Sequence, residues 1–218
     1  MKPRHFIPLV IFLLVIGCSS PRNRVNVLQV PGRDQYCKID LNGVSVLPSG
    51  RYVTPAGELL RITHDPFGMA ISPDGKKCIT LHNGVFTIID LTSSGATRVP
   101  SYDGSIASPL SRGSFLGVAF ARDSRTVYLS GGDNGAVIAY DTENLTRLDS
   151  ISLNGMVEGV DYQDSFTSDL LLNEGENEML VLDRGNFRMV RIDLATKEIK
   201  ASVQVGRQPF GLALSPDK

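Results

Sequence analysis

Short apolar stretches alternate with polar turn sequences along most of the chain. Four of them share one pattern, in which an apolar run leads into a polar turn: PFGMAISPDGKKC (66–78), FLGVAFARDSRTV (115–127), SDLLLNEGENEML (168–180) and PFGLALSPDK (209–218). The pattern recurs at intervals of about 40 to 50 residues. A repeat of this length indicates one supersecondary module that is used several times.

Each repeat continues with two more apolar runs around a second turn and then with a fourth run. Asn-Gly pairs begin this turn at Asn83 and Asn134, and the third repeat has the inverted pair at Gly185. Such pairs are the strongest short-range signal for a β-hairpin, because both turn residues take positive φ. No repeat has the apolar spacing of an amphipathic helix. The pattern therefore predicts an all-β chain, a β-propeller built of four-stranded blades.

The number of repeats predicts an incomplete ring. The repeats begin near Arg61, Ser111, Gly155 and Arg207, which gives about three blades plus the first strand of another. A propeller ring closes with roughly four to eight blades. We therefore predict that residues 31–218 form a partial propeller domain that is truncated at its C-terminus.

The first residues have the layout of an export signal. Lys2 and Arg4 precede an apolar run over residues 6–17. This run is shorter than the roughly 20 residues that a spanning helix needs, which favours a cleaved signal peptide over a permanent anchor. Residues 1–17 are therefore predicted to be a signal peptide.

The end of this run, VIGCSS, resembles a bacterial lipobox. The resemblance implies that Cys18 is lipidated and becomes the mature N-terminus, with residues 18–30 as a polar tether. Ser19 after it implies the cell envelope, as an outer-membrane or periplasmic-side lipoprotein. An unmodified Cys18 in an ordinary secretory leader is the alternative.

Charge and cysteine content restrict the function classes. Lys and Arg together number 22 and Asp and Glu 23, so the chain lacks the excess positive charge typical of nucleic-acid binding, and no nucleic-acid partner is expected. Cys37 and Cys78 are too few for a disulfide framework; we expect small buried apolar side chains, with a bridge between them as the alternative. The zinc and haem spacings of cysteine are absent from the sequence.

No catalytic, cofactor-binding or metal-ligating residue is predicted. His64 and His82 lack the spacing of a metal site and are expected on a surface loop and beside a turn. Asp133-Asn134 and Asp183 with Asn186 have the oxygen ligands of a hard cation, but both sets lie at hairpin turns, where Asp and Asn serve the backbone. An aspartate also recurs at one position of each repeat and is expected to cap a strand end: Asp90, Asp141 and Asp193.

Two further groups are expected to be structural. The stretch SRGSFLG at 111–117 has Gly and Ser but precedes a strand, so a phosphate cradle is not predicted. Arg184, Arg188 and Arg191 form a local basic group that is expected on a solvated blade face.

The repeats resemble the YncE-like, YVTN-type β-propeller family. The resemblance is carried by LPSGRYVTPAGELLRITHDPFGMAISPDGK, LVLDRGNFRMVRIDLATKEI and VGRQPFGLALSPD and covers residues 47–218. More narrowly, these stretches are similar to the amino-terminal propeller of bacterial proteins that join such a propeller to an alkaline-phosphatase-like phosphoesterase domain. The resemblance implies a divalent metal and hydrolase chemistry in a catalytic domain beyond Lys218, and no cofactor within this chain.

We therefore expect an exported, lipid-anchored propeller that serves as a binding or scaffold domain of a larger phosphoesterase. Its expected partners are its own C-terminal domain or a protein or small-molecule ligand, and the membrane through the lipid. The alternatives are a lactonase-type propeller enzyme with an axial metal and a stand-alone interaction module.

Overall fold

A computed structural model describes residues 28–173, 175 and 177–215. The predicted signal peptide and the predicted lipidation site Cys18 lie outside these residues. The chain divides into two compact units, Met1–Leu59 and Leu60–Lys218. In the described part of the first unit, β1 (Ser45–Val46) and β2 (Tyr52–Val53) pair as a short antiparallel hairpin.

The second unit contains three four-stranded antiparallel sheets within its described residues, and each follows chain order. Blade 1 comprises β3 (Met69–Ile71), β4 (Lys77–Leu81), β5 (Phe86–Asp90) and β6 (Gly95–Val99); blade 2 comprises β7 (Val118–Phe120), β8 (Thr126–Ser130), β9 (Ala136–Asp141) and β10 (Thr146–Ser152); blade 3 comprises β13 (Thr167–Asn173), β14 (Glu178–Asp183), β15 (Arg188–Asp193) and β16 (Ile199–Gln204). The predicted all-β architecture of four-stranded blades is confirmed.

A separate hairpin lies in the chain between blades 2 and 3. It consists of β11 (Gly155–Val157) and β12 (Val160–Tyr162), with Met156 opposite Asp161. The third repeat was predicted to begin near Gly155, and in the structure this residue opens the hairpin, whereas the four-stranded sheet begins at Thr167.

One turn type recurs in every blade because an aspartate closes the third strand. The carboxylate accepts a hydrogen bond from the backbone N–H two residues later, at 2.8, 2.9 and 2.8 Å, in the order Asp90, Asp141 and Asp193. Four residues after each aspartate the backbone takes positive φ, at Ser94, Leu145 and Lys197. The predicted capping role of these aspartates is confirmed.

The blades pack face to face around two hydrophobic cores. The first core lies between blades 1 and 2 and includes Ile79, Phe86 and Tyr140. The rings of Phe86 and Tyr140 meet edge to face, with 5.0 Å between their centroids. The second lies between blades 2 and 3 and includes Met179 and Val190. Burying apolar side chains in this way contributes about 1.5–3 kcal/mol for each large residue, so packing between blades holds the unit together.

The inner strands approach each other closely where the sequence has glycine. The N–H of Gly68 donates to the carbonyl of Phe115 at 2.7 Å, and that of Gly117 to the carbonyl of Ser168 at 3.1 Å. A Cβ at Gly68 would lie 2.2 Å from the carbonyl oxygen of Leu116. Glycine is therefore required at the start of β3.

The last repeat runs beside blade 3 without forming a strand in the described residues. The hydroxyl of Ser168 donates to the carbonyl of Pro209 at 3.2 Å, and the N–H of Leu212 donates to the Asp169 carboxylate at 3.1 Å. Residues 211–215 carry no strand, although a first strand was predicted there. The described residues also contain no helix that is both long and apolar enough to cross a membrane.

Candidate functional site

Most residues that stand out in the sequence meet at one end of the blades, which we call the loop face. It consists of the turns between the second and third strands of each blade, the residues that lead into β3 and the connections between blades: residues 82–85, 131–135, 184–187, 66–68, 100–117, 153–166 and 205–210. Backbone hydrogen bonds join turn to connection, from Asp133 N to Arg112 O at 2.9 Å and from Arg184 N to Phe166 O at 2.7 Å. The loop face is therefore held by the blade frame rather than by isolated loops.

The stretch SRGSFLG wraps the turn of blade 1. The Asn83 side-chain oxygen accepts the Gly113 N–H at 2.6 Å, and the Gly84 N–H donates to the Ser114 hydroxyl at 2.9 Å. In blade 2 the Asn134 side chain accepts the Ala136 N–H at 3.1 Å. The predicted turn role of Asn134 is confirmed.

A buried polar network fixes the connection between blades 2 and 3. The Asp183 carboxylate accepts hydrogen bonds from Ser165 Oγ at 2.9 Å, Phe166 N at 3.0 Å, Asn186 Nδ2 at 3.0 Å and Arg188 Nε at 2.8 Å. Burial acts to raise the pKa of Asp183, but these hydrogen bonds outweigh it and the pKa lies below the usual aspartate value. The carboxylate is therefore ionised and fully occupied, and Asp183 and Asn186 have the structural turn role that was predicted for them.

Arg188 completes this network and is wholly buried. The Arg188 and Asp183 side chains are both 0% exposed. Arg188 Nη2 donates to the carbonyl of Leu153 at 2.5 Å, and its guanidinium lies 3.5 Å from the centre of the Tyr162 ring. The prediction of a solvated face was wrong for Arg188, because strand alternation turns it inward; Arg191 is exposed and pairs with Glu178 at 3.4 Å.

His82 lies beside the turn of blade 1, as predicted, and its side chain is buried. Its Nδ1 lies 2.9 Å from the carbonyl oxygen of His64, and its Nε2 lies 2.7 Å from Thr80 Oγ1 and 3.2 Å from Thr87 Oγ1. A carbonyl only accepts, so Nδ1 carries the proton, and Nε2 of the neutral ring accepts from the closer hydroxyl, that of Thr80. Burial lowers the pKa of His82. His64 is exposed, as predicted, and lies 3.1 Å from Asp65.

Aromatic and arginine side chains line the open part of the loop face. Phe67 is 53% exposed and meets Phe115 edge to face at 5.0 Å between ring centres, and Phe210 is 55% exposed. Two arginines lie over rings, Arg184 at 5.7 Å from Phe166 and Arg207 at 5.6 Å from Phe187. Aromatic and arginine residues on a rigid frame are typical of protein-binding surfaces.

Asp169 is a residue whose importance was not deduced from the sequence. It stands where the other repeats have Gly68, Gly117 and Gly211. Burial raises its pKa, although its carboxylate accepts the N–H groups of Leu212 and Leu170. The signal in the sequence was the replacement of glycine by a charged residue at one repeat position.

Neither metal nor disulfide chemistry is assembled among the described residues. No group of three or more His, Cys, Asp or Glu side chains there is arranged to hold a metal ion. Cys37 and Cys78 are both free thiols, so the alternative of a bridge between them is wrong. Cys78 is buried, as expected, whereas Cys37 is exposed, contrary to expectation, and burial raises the pKa of the Cys78 thiol.

These blades and the face that they present define the chain as a β-propeller of WD40-like architecture. Similar solved structures include the hydrazine synthase of Kuenenia stuttgartiensis (TM-score 0.54, 17% identity, 76% of this chain and 43% of that one), U3-55K (0.53, 10%, 68% and 42%) and the WD40 repeats of RRP9 (0.52, 11%, 68% and 41%). The chain spans less than half the length of each. No family model and no curated protein matches the sequence.

Proposed function

We propose that this chain is an exported, lipid-anchored binding or scaffold domain of the YncE-like type, and that its binding surface is the loop face. The observation that carries the proposal is the combination of a fixed frame with exposed anchors. Asp183 and Asn83 form hydrogen bonds with backbone N–H groups of the connections and so hold them in place. The side chains of Phe67, Arg112 and Phe210 remain exposed. Because the loops of such a surface are already ordered, binding does not carry the entropy cost of ordering them.

The partner in this proposal is a catalytic domain of the same protein. The resemblance to propellers joined to alkaline-phosphatase-like phosphoesterases supports it, as does the full occupation of Asp183, which leaves this buried carboxylate no free lone pair for catalysis in the propeller. The divalent metal and the hydrolase chemistry then belong to that domain. Cys18 carries the lipid that holds the protein in the cell envelope. No ligand set of the kind a lactonase needs supports that alternative in the described residues.

Purification of the protein from the membranes of its host tests this proposal. Peptide mapping beyond Lys218 and hydrolysis of p-nitrophenyl phosphate establish whether a phosphoesterase follows. Hydrogen exchange on that protein, compared with the 218-residue chain alone, is expected to show extra protection in the loop-face connections 111–117 and 205–210. Leu148 is an exposed residue of β10 and provides the control. Loss of that protection in Phe67→Ser but not in Leu148→Ser would support the loop face as the binding surface.

Two results would overturn parts of the proposal. Equal exchange of the loop face in both proteins would show that another surface binds. A mature protein that ends at Lys218 would leave a stand-alone interaction module.

A further inference from the structure

Blade 1 departs from the other blades on one side of its sheet. We call this side the front face and define it by three cross-strand neighbours, Thr80, Thr87 and Arg98, which pair in successive strands of the blade. Counting back from the aspartate that closes the third strand, the positions of Thr80 and Thr87 correspond to Leu129 and Ile138 in blade 2 and to Val181 and Val190 in blade 3. Those residues are fully buried in the two cores. Blade 1 has hydroxyls where a packed blade has apolar side chains.

Arg98 is the second departure. The corresponding positions hold Ser150 and Ser202, which pair with Ile138 and Val190. The Arg98 guanidinium donates from Nη1 to the carbonyl of Pro100, while its buried Nε–H has no hydrogen-bond partner among the described residues. Within the described part of the chain, no carboxylate pairs with it. A half-buried cation with an unsatisfied donor costs stability, and a bound anion is one explanation of such a donor.

A cleft opens at this guanidinium. Its volume is about 270 Å³, and its lining includes Arg61, Thr63, Thr87, Arg98 and Tyr102. The Tyr102 ring centre lies 4.6 Å from the Arg98 guanidinium carbon and orients it. The lining contains two cations, three side chains with hydroxyls and no acidic side chain. Positive charge and hydrogen-bond donors converge here without an acidic side chain.

We propose that the front face of blade 1 binds a small oxyanion, a phosphate or carboxylate group, in this cleft. Arg98 Nε–H is the main donor, Arg61 supplies the second positive charge, and Thr63 supplies a hydroxyl. A guanidinium suits oxyanions because its planar array of N–H groups matches their oxygens, and such charge-assisted hydrogen bonds are about twice as strong as neutral ones.

His82 contacts Thr87, a residue of the cleft lining. Its Nε2 lies 3.2 Å from Thr87 Oγ1, and the positive charge of Arg98 is one of the influences that lower its pKa, after burial. An anion beside Arg98 offsets that influence. Binding is therefore expected to raise the pKa of His82 as well as to shift the Arg98 Nε–H resonance.

The proposal is tested by titrating the whole chain with inorganic phosphate. The NMR signals of the arginine Nε–H groups and of the His82 ring monitor binding. Acetate forms the second arm, and chloride at matched ionic strength is the blank. A saturable shift of the Arg98 signal is expected, with the tighter of the two anions identifying a phosphate or a carboxylate site. Arg98→Met is expected to weaken binding at least about tenfold, the effect of losing one charge-assisted hydrogen bond.

Two further variants keep the result clear if Arg98→Met fails to fold. Arg61→Gln changes an exposed residue of the cleft and is expected to weaken binding severalfold, whereas Arg147→Gln changes an exposed arginine of blade 2 and is expected to leave it unchanged. The proposal is overturned if neither anion gives a saturable shift, if chloride gives the same shift, or if Arg61→Gln and Arg147→Gln bind alike. These results are independent of the loop-face experiment.

Discussion

Replacement of Arg188 by leucine should sharply destabilise the propeller unit. The substitution leaves the Asp183 carboxylate buried and without its ion-pair partner, since both side chains are 0% exposed. Removing one member of a buried pair costs about 3–5 kcal/mol. In a unit of this size, each kcal/mol lowers the melting temperature by about 2–4 °C, so a decrease of about 6 to 20 °C is expected.

Urea unfolding followed by circular dichroism measures this effect. Arg191→Leu is the matched control, because Arg191 lies on the same strand but is 48% exposed and its pair with Glu178 is worth about 0–1 kcal/mol. The double variant Asp183→Asn/Arg188→Leu should lose less than the sum of the single variants, because it leaves no unpaired charge. A loss below about 1 kcal/mol for Arg188→Leu would refute the network as a source of stability.

The pH dependence gives an independent test of the same network. The pKa of Asp183 in the folded protein is below the ordinary value of 3.8. Its contribution to stability is therefore complete above pH 3.8 and is lost as the pH falls through the folded-state pKa. The stability difference between the wild type and Asp183→Asn should accordingly shrink below pH 3.8, and a difference that stays constant down to acid unfolding would contradict this sign.

Three other changes test the packing and the buried groups. Gly68→Ala places a methyl 2.2 Å from a carbonyl oxygen of blade 2 and should cost about 1–3 kcal/mol in urea unfolding, whereas Gly206→Ala, which meets nothing within 4 Å, should cost less than about 0.5 kcal/mol; equal losses would contradict the close approach. In a Cys18→Ser variant, Ellman's reagent should modify exposed Cys37 at once and buried Cys78 only in urea, and two immediate equivalents of thiol would contradict that burial. Burial lowers the pKa of His82 below its ordinary value of 6.5 in the folded protein, so stability should decline as the pH falls below 6.5, with a smaller decline in His82→Gln.

The repeat carried the fold prediction, because strand and turn signals are local. Asn83 and Asn134 marked hairpins through their backbone preference, and Asp90 marked the end of a strand through its carboxylate. These roles depend on residues only a few positions apart, or on backbone geometry that the repeat itself imposes. The four-stranded blades could therefore be predicted from the sequence alone.

The burial of single polar residues could not be predicted in the same way. Arg188 and His82 lie next to turns, where sequence patterns favour exposure, yet connections distant in sequence cover both of them. Arg188 is covered by the carbonyl of Leu153 and the ring of Tyr162, and His82 by the carbonyl of His64. Cys37 was expected to be buried from its residue type, yet it is exposed. Residue type alone does not determine whether a side chain in a loop is buried.

The third strand of blade 2 belongs to both cores at once. All six residues of β9 are buried, with Ile138 and Tyr140 in the first core and Val137 in the second. A displacement of β9 that breaks its contacts in one core therefore also disturbs its contacts in the other core. Blade 2 is therefore expected to be the slowest part of the unit in hydrogen exchange, and partial opening is expected to begin at blades 1 and 3. Opening of blade 1 or blade 3 disturbs one core, whereas opening of blade 2 breaks both cores together.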